Sequence, residues 1–272
     1  MSFLQLENRN IVLMGVANRR SVAWAIAQVL RENGANILYV FKDEELLEKN
    51  RGLIGADAKA IVCDVEKEAD IQAFGARVQD VFPVVHGYVH SIAFANYSEG
   101  VKPFHETLRK DFLQAVEISC FSLVETSNQL KELLNEDASI VTISISTTKM
   151  ASENYGYMGP VKAALDSTVA FLAKSLISER RRRVRVNAVG PGLLKTSSSA
   201  GIPGYIDAYL YAEKAIPRKS ALATEEPANV AAFLLSPRSS GVDAQTIVVD
   251  AGMSINYFDR EIVRTVSSGG GK

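Results

Sequence analysis

Cysteine is almost missing from this sequence: its 272 residues hold two, Cys63 and Cys120, in apolar strand-like and helix-like surroundings. Two thiols cannot form the framework of a disulfide-stapled secreted domain, and they are expected to be reduced and buried. Histidine is nearly as scarce. His86, His90 and His105 show no metal-ligand spacing, so no zinc or iron site is expected. No charge of one sign dominates either, since the formal net charge is −1, which argues against a general polyanion-binding protein. The arginine run from Arg180 to Arg183 is a local exception, expected at a helix C-terminus, where cations complement the dipole, rather than on nucleic acid. The first ten residues lack a cationic start followed by an apolar run, so no signal peptide is visible. No uninterrupted apolar stretch approaches the roughly 20 residues of a membrane span. These absences point to a soluble cytoplasmic protein with no membrane or nucleic-acid partner.

What is present is an ordinary globular composition, 47% hydrophobic and 22% charged, ample for a sizeable core. Short apolar runs rich in β-branched residues recur at 11–14, 37–41, 60–63, 87–90, 140–144, 184–189 and 246–249. Near-continuous hydrophobicity over so few residues marks strands buried on both faces, as in a parallel sheet. Between them lie helical patterns. Residues 21–33 carry Val22, Ile26, Val29 and Leu30 at helical spacing, with Gly34 as the stop, and residues 160–178 read similarly. Alternating strand and helix with short connections predicts an α/β fold, a doubly wound parallel sheet of about seven strands. With no Pro/Gly-rich linker and no internal repeat, residues 1–266 are expected to form a single domain, followed by a disordered Gly/Ser-rich tail at 267–272. The Ser-, Gly- and aromatic-rich insertion at 196–217, after strand six, predicts an active-site lid.

The ends of the strands carry the chemistry. Strand one runs into Gly15-Val-Ala-Asn-Arg-Arg-Ser21 and a helix follows at once, a junction that aims backbone N–H groups and a helix dipole at a pyrophosphate. Gly15 is the only glycine in that turn, so the usual three-glycine fingerprint is incomplete. Ser21 stands where a later glycine is expected; its hydroxyl can meet a phosphate or simply cap the helix that opens at Val22. After strand three, Asp64 can accept from an adenine amino group while Val65 packs on the ring; Asp64 can equally cap the next helix. Ser91, Ile92 and Ala93, after strand four, are a small-residue run that lets backbone approach a ribose. At the end of strand two Lys42 favours a 2′-phosphate while Asp43 pulls towards a 2′-hydroxyl, which tips the reading slightly to NADPH over NADH.

Several of these segments together resemble the enoyl-acyl-carrier-protein reductases, a branch of the short-chain dehydrogenase/reductase superfamily with the Rossmann fold. The resemblance rests on Gly15 to Ala23, Cys63-Asp64-Val65, His90 to Ala95, Asn154-Tyr155-Gly-Tyr-Met-Gly159, Lys162 to Leu165, Arg185 to Ala188 and Val249 to Gly252. Its most specific element is Tyr155 followed by Lys162 with six residues between, where ordinary short-chain dehydrogenases place Tyr at the position of Met158. The resemblance implies reduction of a trans-2-enoyl thioester, on acyl carrier protein or coenzyme A, by NADPH or NADH in fatty-acid synthesis, in a homotetramer. It implies that Tyr155 stabilises the developing enolate and that Lys162 holds the nicotinamide ribose. It adds Val22, Leu194 and Thr196 to the nucleotide contacts, and Phe94, Ala95, Tyr157 and Tyr205 to the substrate contacts. The alternative for Tyr155 and Lys162 is a surface tyrosine before a helix and a solvated helix charge.

Two features depart from the pattern: the Pro191-Gly192 order, which looks more like the general superfamily, and the residue at position 145. Enoyl reductases carry a second tyrosine ten residues before the first, and here that position is Ile145, which cannot donate a hydrogen bond. Ser144 and Ser146 flank it, but in period-2 geometry they point away from the face that Ile145 occupies; Tyr157 is a further candidate phenol. These departures keep open a carbonyl–alcohol oxidoreductase on the same scaffold, a divergent paralogue with weak turnover, and a non-catalytic nucleotide-binding protein.

Overall fold

The computed structural model describes residues 2–97, 99–100, 102–151, 155–180, 183–196, 199 and 204–269. Among them are seven strands: β1 (Asn10–Met14), β2 (Asn36–Phe41), β3 (Ala60–Val62), β4 (Val85–His90), β5 (Leu134–Ile143), β6 (Arg185–Pro191) and β7 (Thr246–Val249). They lie in one sheet in the order β3-β2-β1-β4-β5-β6-β7, every neighbouring pair parallel. The chain winds outward from β1 to β3, then crosses back to place β4 on the other side of β1. A crevice opens at that reversal, beyond the carboxyl ends of the strands.

The helices are α1 (Val22–Glu32), α2 (Glu44–Ile54), α3 (Glu68–Gln79), α4 (Arg109–Val116), α5 (Ser122–Leu130), α6 (Met158–Arg180), α7 (Tyr205–Ala215), α8 (Glu225–Leu235) and α9 (Arg260–Gly269). A π-helical turn, Glu117–Phe121, joins α4 to α5. Strand alternation divides the core into two layers. Ile11 and Leu13 pack with α1, α2 and α8, whereas Val12 and Met14 pack with α3, α5 and α6. That double burial is why the strands read as continuous apolar runs. No helix among the described residues is long and apolar enough to cross a membrane.

Several boundaries differ from the sequence reading, three of them for a clear physical reason. β5 begins at Leu134 rather than near Ile140, because Val85 already pairs with Leu134 before the register shifts to Gly87–Ser139; the polar stretch Asn135-Glu136-Asp137 hides this start. α6 begins at Met158, two residues before Pro160, whose ring is tolerated in a first helical turn. The tail expected to be disordered from Ser267 instead continues α9 through Gly269. Asp259 caps that helix by accepting from the N–H groups of Glu261 (2.9 Å) and Ile262 (3.2 Å); residues 270–272 lie outside the described residues. Of the insertion expected to form a lid, 197–198 and 200–203 also lie outside them, and α7 follows.

Candidate active site

The phosphate turn is shaped by a crossing of two chains. Gly15 has φ +103°, and a Cβ on it would overlap the backbone carbonyl of Ser91, which leaves β4 alongside β1. Ser91 in turn donates its N–H to Met14 O at 3.3 Å. Only glycine meets both demands, the left-handed conformation and the close approach. Ser21 behaves as the helix cap: its Oγ accepts from the Trp24 N–H (3.4 Å) and donates to Asn18 O (2.7 Å). Val22 is buried beside it. The first-turn N–H groups of α1 point out of the helix towards the crevice, as helix geometry requires.

At the adenosine end, Lys42 and Asp64 come together from β2 and β3, with Lys42 Nζ 3.9 Å from Asp64 Oδ1 and 2.6 Å from Glu66 Oε2. The Glu66 hydrogen bond, reinforced by Asp64, Glu66 and Asp43, raises the Lys42 pKa. Asp64 does not cap α3, whose N-cap is Lys67. It accepts from the Glu66 N–H at 3.1 Å and pairs with Lys67 at 3.3 Å, with Val65 buried behind it. Asp43 caps α2 by accepting from the Leu46 N–H at 2.7 Å, so one of its carboxylate oxygens is engaged with the helix, while Lys42 is itself paired with Glu66 and Asp64.

Lys162 lies in the first turns of α6, buried to 3% exposure, and donates to Ile143 O (2.7 Å) at the end of β5 and to Ile92 O (3.4 Å) after β4. Burial pulls its ammonium down to about 8. Tyr155 stands in the turn before α6, and burial, with the Tyr205 and Tyr97 phenols nearby, pushes its pKa far above the ordinary value. It is therefore a neutral donor at any working pH. Met158, at the ordinary dehydrogenase position, is buried in the core.

β5 pairing with β6 continues past Ile143, since Ser144 N–H donates to Val189 O (2.8 Å) and Ser146 N–H to Pro191 O (2.9 Å). Alternation thus holds, and the serines do point away from the face of Ile145. The serine side, however, is the α6 side. Thr142, one pleat back, bonds His90, which reaches Ser122 of α5, whereas Ile143 packs with the opposite layer. Ser144 Oγ is buried there without a hydrogen-bond partner among the described residues. Ile145 also fixes a glycine, for its carbonyl lies 2.9 Å from where a Cβ on Gly190 would be.

The hydroxyls of Tyr157 and Tyr205, both expected among the substrate contacts, are engaged with backbone groups. Tyr157 Oη accepts from the Asn96 N–H and donates to Asn96 O, both at 2.9 Å. Tyr205 Oη accepts from the Leu194 N–H (3.0 Å) and donates to Leu194 O (2.7 Å). Leu194 is buried, and Thr196 is held by Ser199. Phe94 and Ala93 are exposed at the cleft and Ala95 packs on the core. The sequence reading missed Ser119, Ser122 and Thr126. These three hydroxyls bond Phe94, His90 and Tyr88 in turn along β4 and its exit loop. Their spacing of three and four residues in an apolar stretch was the available signal.

A family model described as enoyl-(acyl carrier protein) reductase matches residues 15–254. The chain belongs to the enoyl-acyl-carrier-protein reductase family. It is 37% identical over 254 residues to the NADH enzyme of Bacillus subtilis, covering 92% of this chain and 97% of that one. It is 36% identical to the NADPH enzyme of Staphylococcus aureus strain MRSA252, covering 92% and 98%. Among solved structures, the Aquifex aeolicus NADH enzyme superposes with a TM-score of 0.88 at 28% identity, covering 93% of this chain and 99% of that one. The Bacillus cereus enzyme with NADP+ and an indole naphthyridinone gives 0.86 at 32% identity, covering 92% and 98%. Within the family, then, relatives named for either nicotinamide share this fold.

Proposed function

We propose that this protein reduces a trans-2-enoyl thioester to the saturated acyl thioester at the crevice between β1 and β4, using NAD(P)H. The crevice suits a nicotinamide dinucleotide: the Gly15 turn and the start of α1 would hold the pyrophosphate, Lys42, Asp64 and Val65 the adenosine end, and Ser91 to Ala93, Lys162, Leu194 and Thr196 the nicotinamide half. When bound, that group supplies a hydride to the β-carbon. The π electrons of the double bond then move onto the thioester oxygen, and a proton completes the α-carbon. Tyr155, held neutral by burial, donates its hydrogen bond to that oxygen as charge develops. Lys162 keeps the local potential positive and, on this reading, orients the ribose.

The observation that carries the reading is the pairing of Tyr155, in the turn before α6, with a buried Lys162 on that helix. Carbonyl–alcohol chemistry of the ordinary type lacks its phenol, because the side chain in that place is the buried Met158. Following NAD(P)H absorbance with a crotonyl thioester, against a panel of ketones, tests the assignment. Tyr155→Phe is expected to lose at least about tenfold in kcat, since removing one oxyanion donor typically costs about 10²–10³. Near-wild-type turnover in that variant, or a preference for ketones, would overturn it. Acyl carrier protein is the proposed carrier and coenzyme A the simpler test substrate.

A further inference from the structure

Among the described residues, the segment that leaves β4 towards the cleft has no strand beside it, yet its backbone is hydrogen-bonded at alternate residues by side chains. Ile92 O accepts from Lys162 Nζ at 3.4 Å. At residue 94, Ser119 Oγ accepts from the Phe94 N–H (2.9 Å) and donates to Phe94 O (3.1 Å). At residue 96, Tyr157 Oη makes the same pair of bonds with Asn96. A hydroxyl that accepts from the N–H and donates to the C=O of one residue does what the partner residue of a hydrogen-bonded pair does in an antiparallel ladder. Bonding at 92, 94 and 96 is therefore the pattern of a strand edge satisfied by side chains, and residues 93 and 95 turn their polar groups to the opposite side.

Both hydroxyls are held by their surroundings. Ser119 is fully buried in the π-helical turn, a local departure from α geometry of the kind often found at functional sites. Tyr157 is also buried, with its ring stacked on Tyr97 (centroids 5.8 Å apart, 30° between planes) and edge-on to Phe112 (6.3 Å). Tyr97 donates its hydroxyl to Tyr155 O at 3.4 Å. The same group of side chains thus joins the exit loop of β4 to the turn that carries Tyr155.

We propose that Ser119 and Tyr157 are positioning residues for the reductase reaction, fixing residues 92–96 as a side-chain-paired strand whose open edge borders the enoyl group. The proposal rests on the function given above. Tyr157→Phe removes one oxygen and leaves the ring contacts in place. In this variant, and in Ser119→Ala, amide hydrogen exchange at Phe94 and Asn96 is expected to accelerate about tenfold in the free protein. KM for a crotonyl thioester is expected to rise about five- to tenfold, about 1 kcal/mol of lost positioning. The Kd for nucleotide, read by its fluorescence, is expected to change less than KM, and Ser119→Thr, which keeps the hydroxyl, to restore the exchange and KM readouts. Faster exchange with unchanged KM would reduce the two residues to structural ties and overturn the positioning role, as would unchanged exchange. A wild-type protein inert towards every enoyl thioester would instead overturn the reductase reading, and the proposal with it.

Discussion

Lys162 is a cation buried beneath two carbonyl oxygens, with Asp166 and Cys120 as the groups that favour its charge and desolvation as the larger opposing effect. Its folded value of about 8 lies below the ordinary 10.5, so the sign of two pH effects follows. Where activity needs the ammonium, kcat/KM is expected to fall about tenfold per unit above pH 8. Lys162→Arg, whose guanidinium stays charged, is expected to move that limb beyond pH 10. Stability runs the other way. Between pH 8 and 10.5 the unfolded chain holds the proton that the folded one has released, so the burial penalty is relieved as pH rises. Relative to Lys162→Met, wild type is expected to gain thermal stability across that window, and parallel losses of activity and relative stability would contradict the assignment. Lys42 gives a second prediction: KM for NADPH modestly lower than for NADH, an advantage lost in Lys42→Ala, because a 2′-phosphate can compete with Glu66 and Asp64 for its half-exposed ammonium. A preference for NADH would refute it. Tyr155 and Lys162 were singled out by their resemblance to a family motif. The use of Tyr157 and Tyr205 was not legible, because their partners are backbone groups of loops 61 and 11 residues away, and no periodicity within an element encodes such a contact.

Among the elements, the strands were legible because burial on both faces leaves an uninterrupted apolar run, and β5 was misread only where its first residues are polar. The motif from Arg185 to Ala188 has a structural meaning that its place in the family resemblance did not reveal. Arg185 is buried and donates to Leu234 O (2.9 Å), Ser236 O (3.1 Å), Ser239 O (3.0 Å) and Ser239 Oγ (2.7 Å), closing the carboxyl end of α8. Asn187 Nδ2 donates to Val242 O (2.8 Å), and its Oδ1 accepts from the Gln245 N–H (3.0 Å) just before β7. One strand thereby orders the helix and the strand that follow it. Arg185→Met removes four hydrogen bonds from a buried charged donor, although Leu234 O, Ser236 O and Ser239 O keep bonds from Ser139, Ser239 and Val242, and is expected to cost on the order of 3 kcal/mol. Differential scanning calorimetry should show a Tm about 6–12 °C lower. A shift under about 2 °C would mean that water takes over the cap.

For the whole molecule, the resemblance implied a homotetramer, and the surface offers material for one. Leu113 of α4, Phe121 of the π-helical turn and Phe171 of α6 are large apolar side chains left exposed on one helical layer, Phe171 at 77%. Light scattering is expected to give four times the mass of the chain, with Phe121→Glu and Phe171→Glu together releasing smaller species. A wild-type monomer would refute this. A doubly wound parallel sheet of about seven strands was readable from alternation between strand and helix, while the strand order came only with the structure, and an exposed phenylalanine has no pattern of its own.

The side-chain-paired segment after β4 separates two kinds of inheritance. The sheet is held by main-chain ladders, whereas on the proposal above the segment at 92–96 depends on a few hydroxyls contributed by distant positions. Single replacements at 119 or 157 are then expected to act on substrate binding before they act on the scaffold.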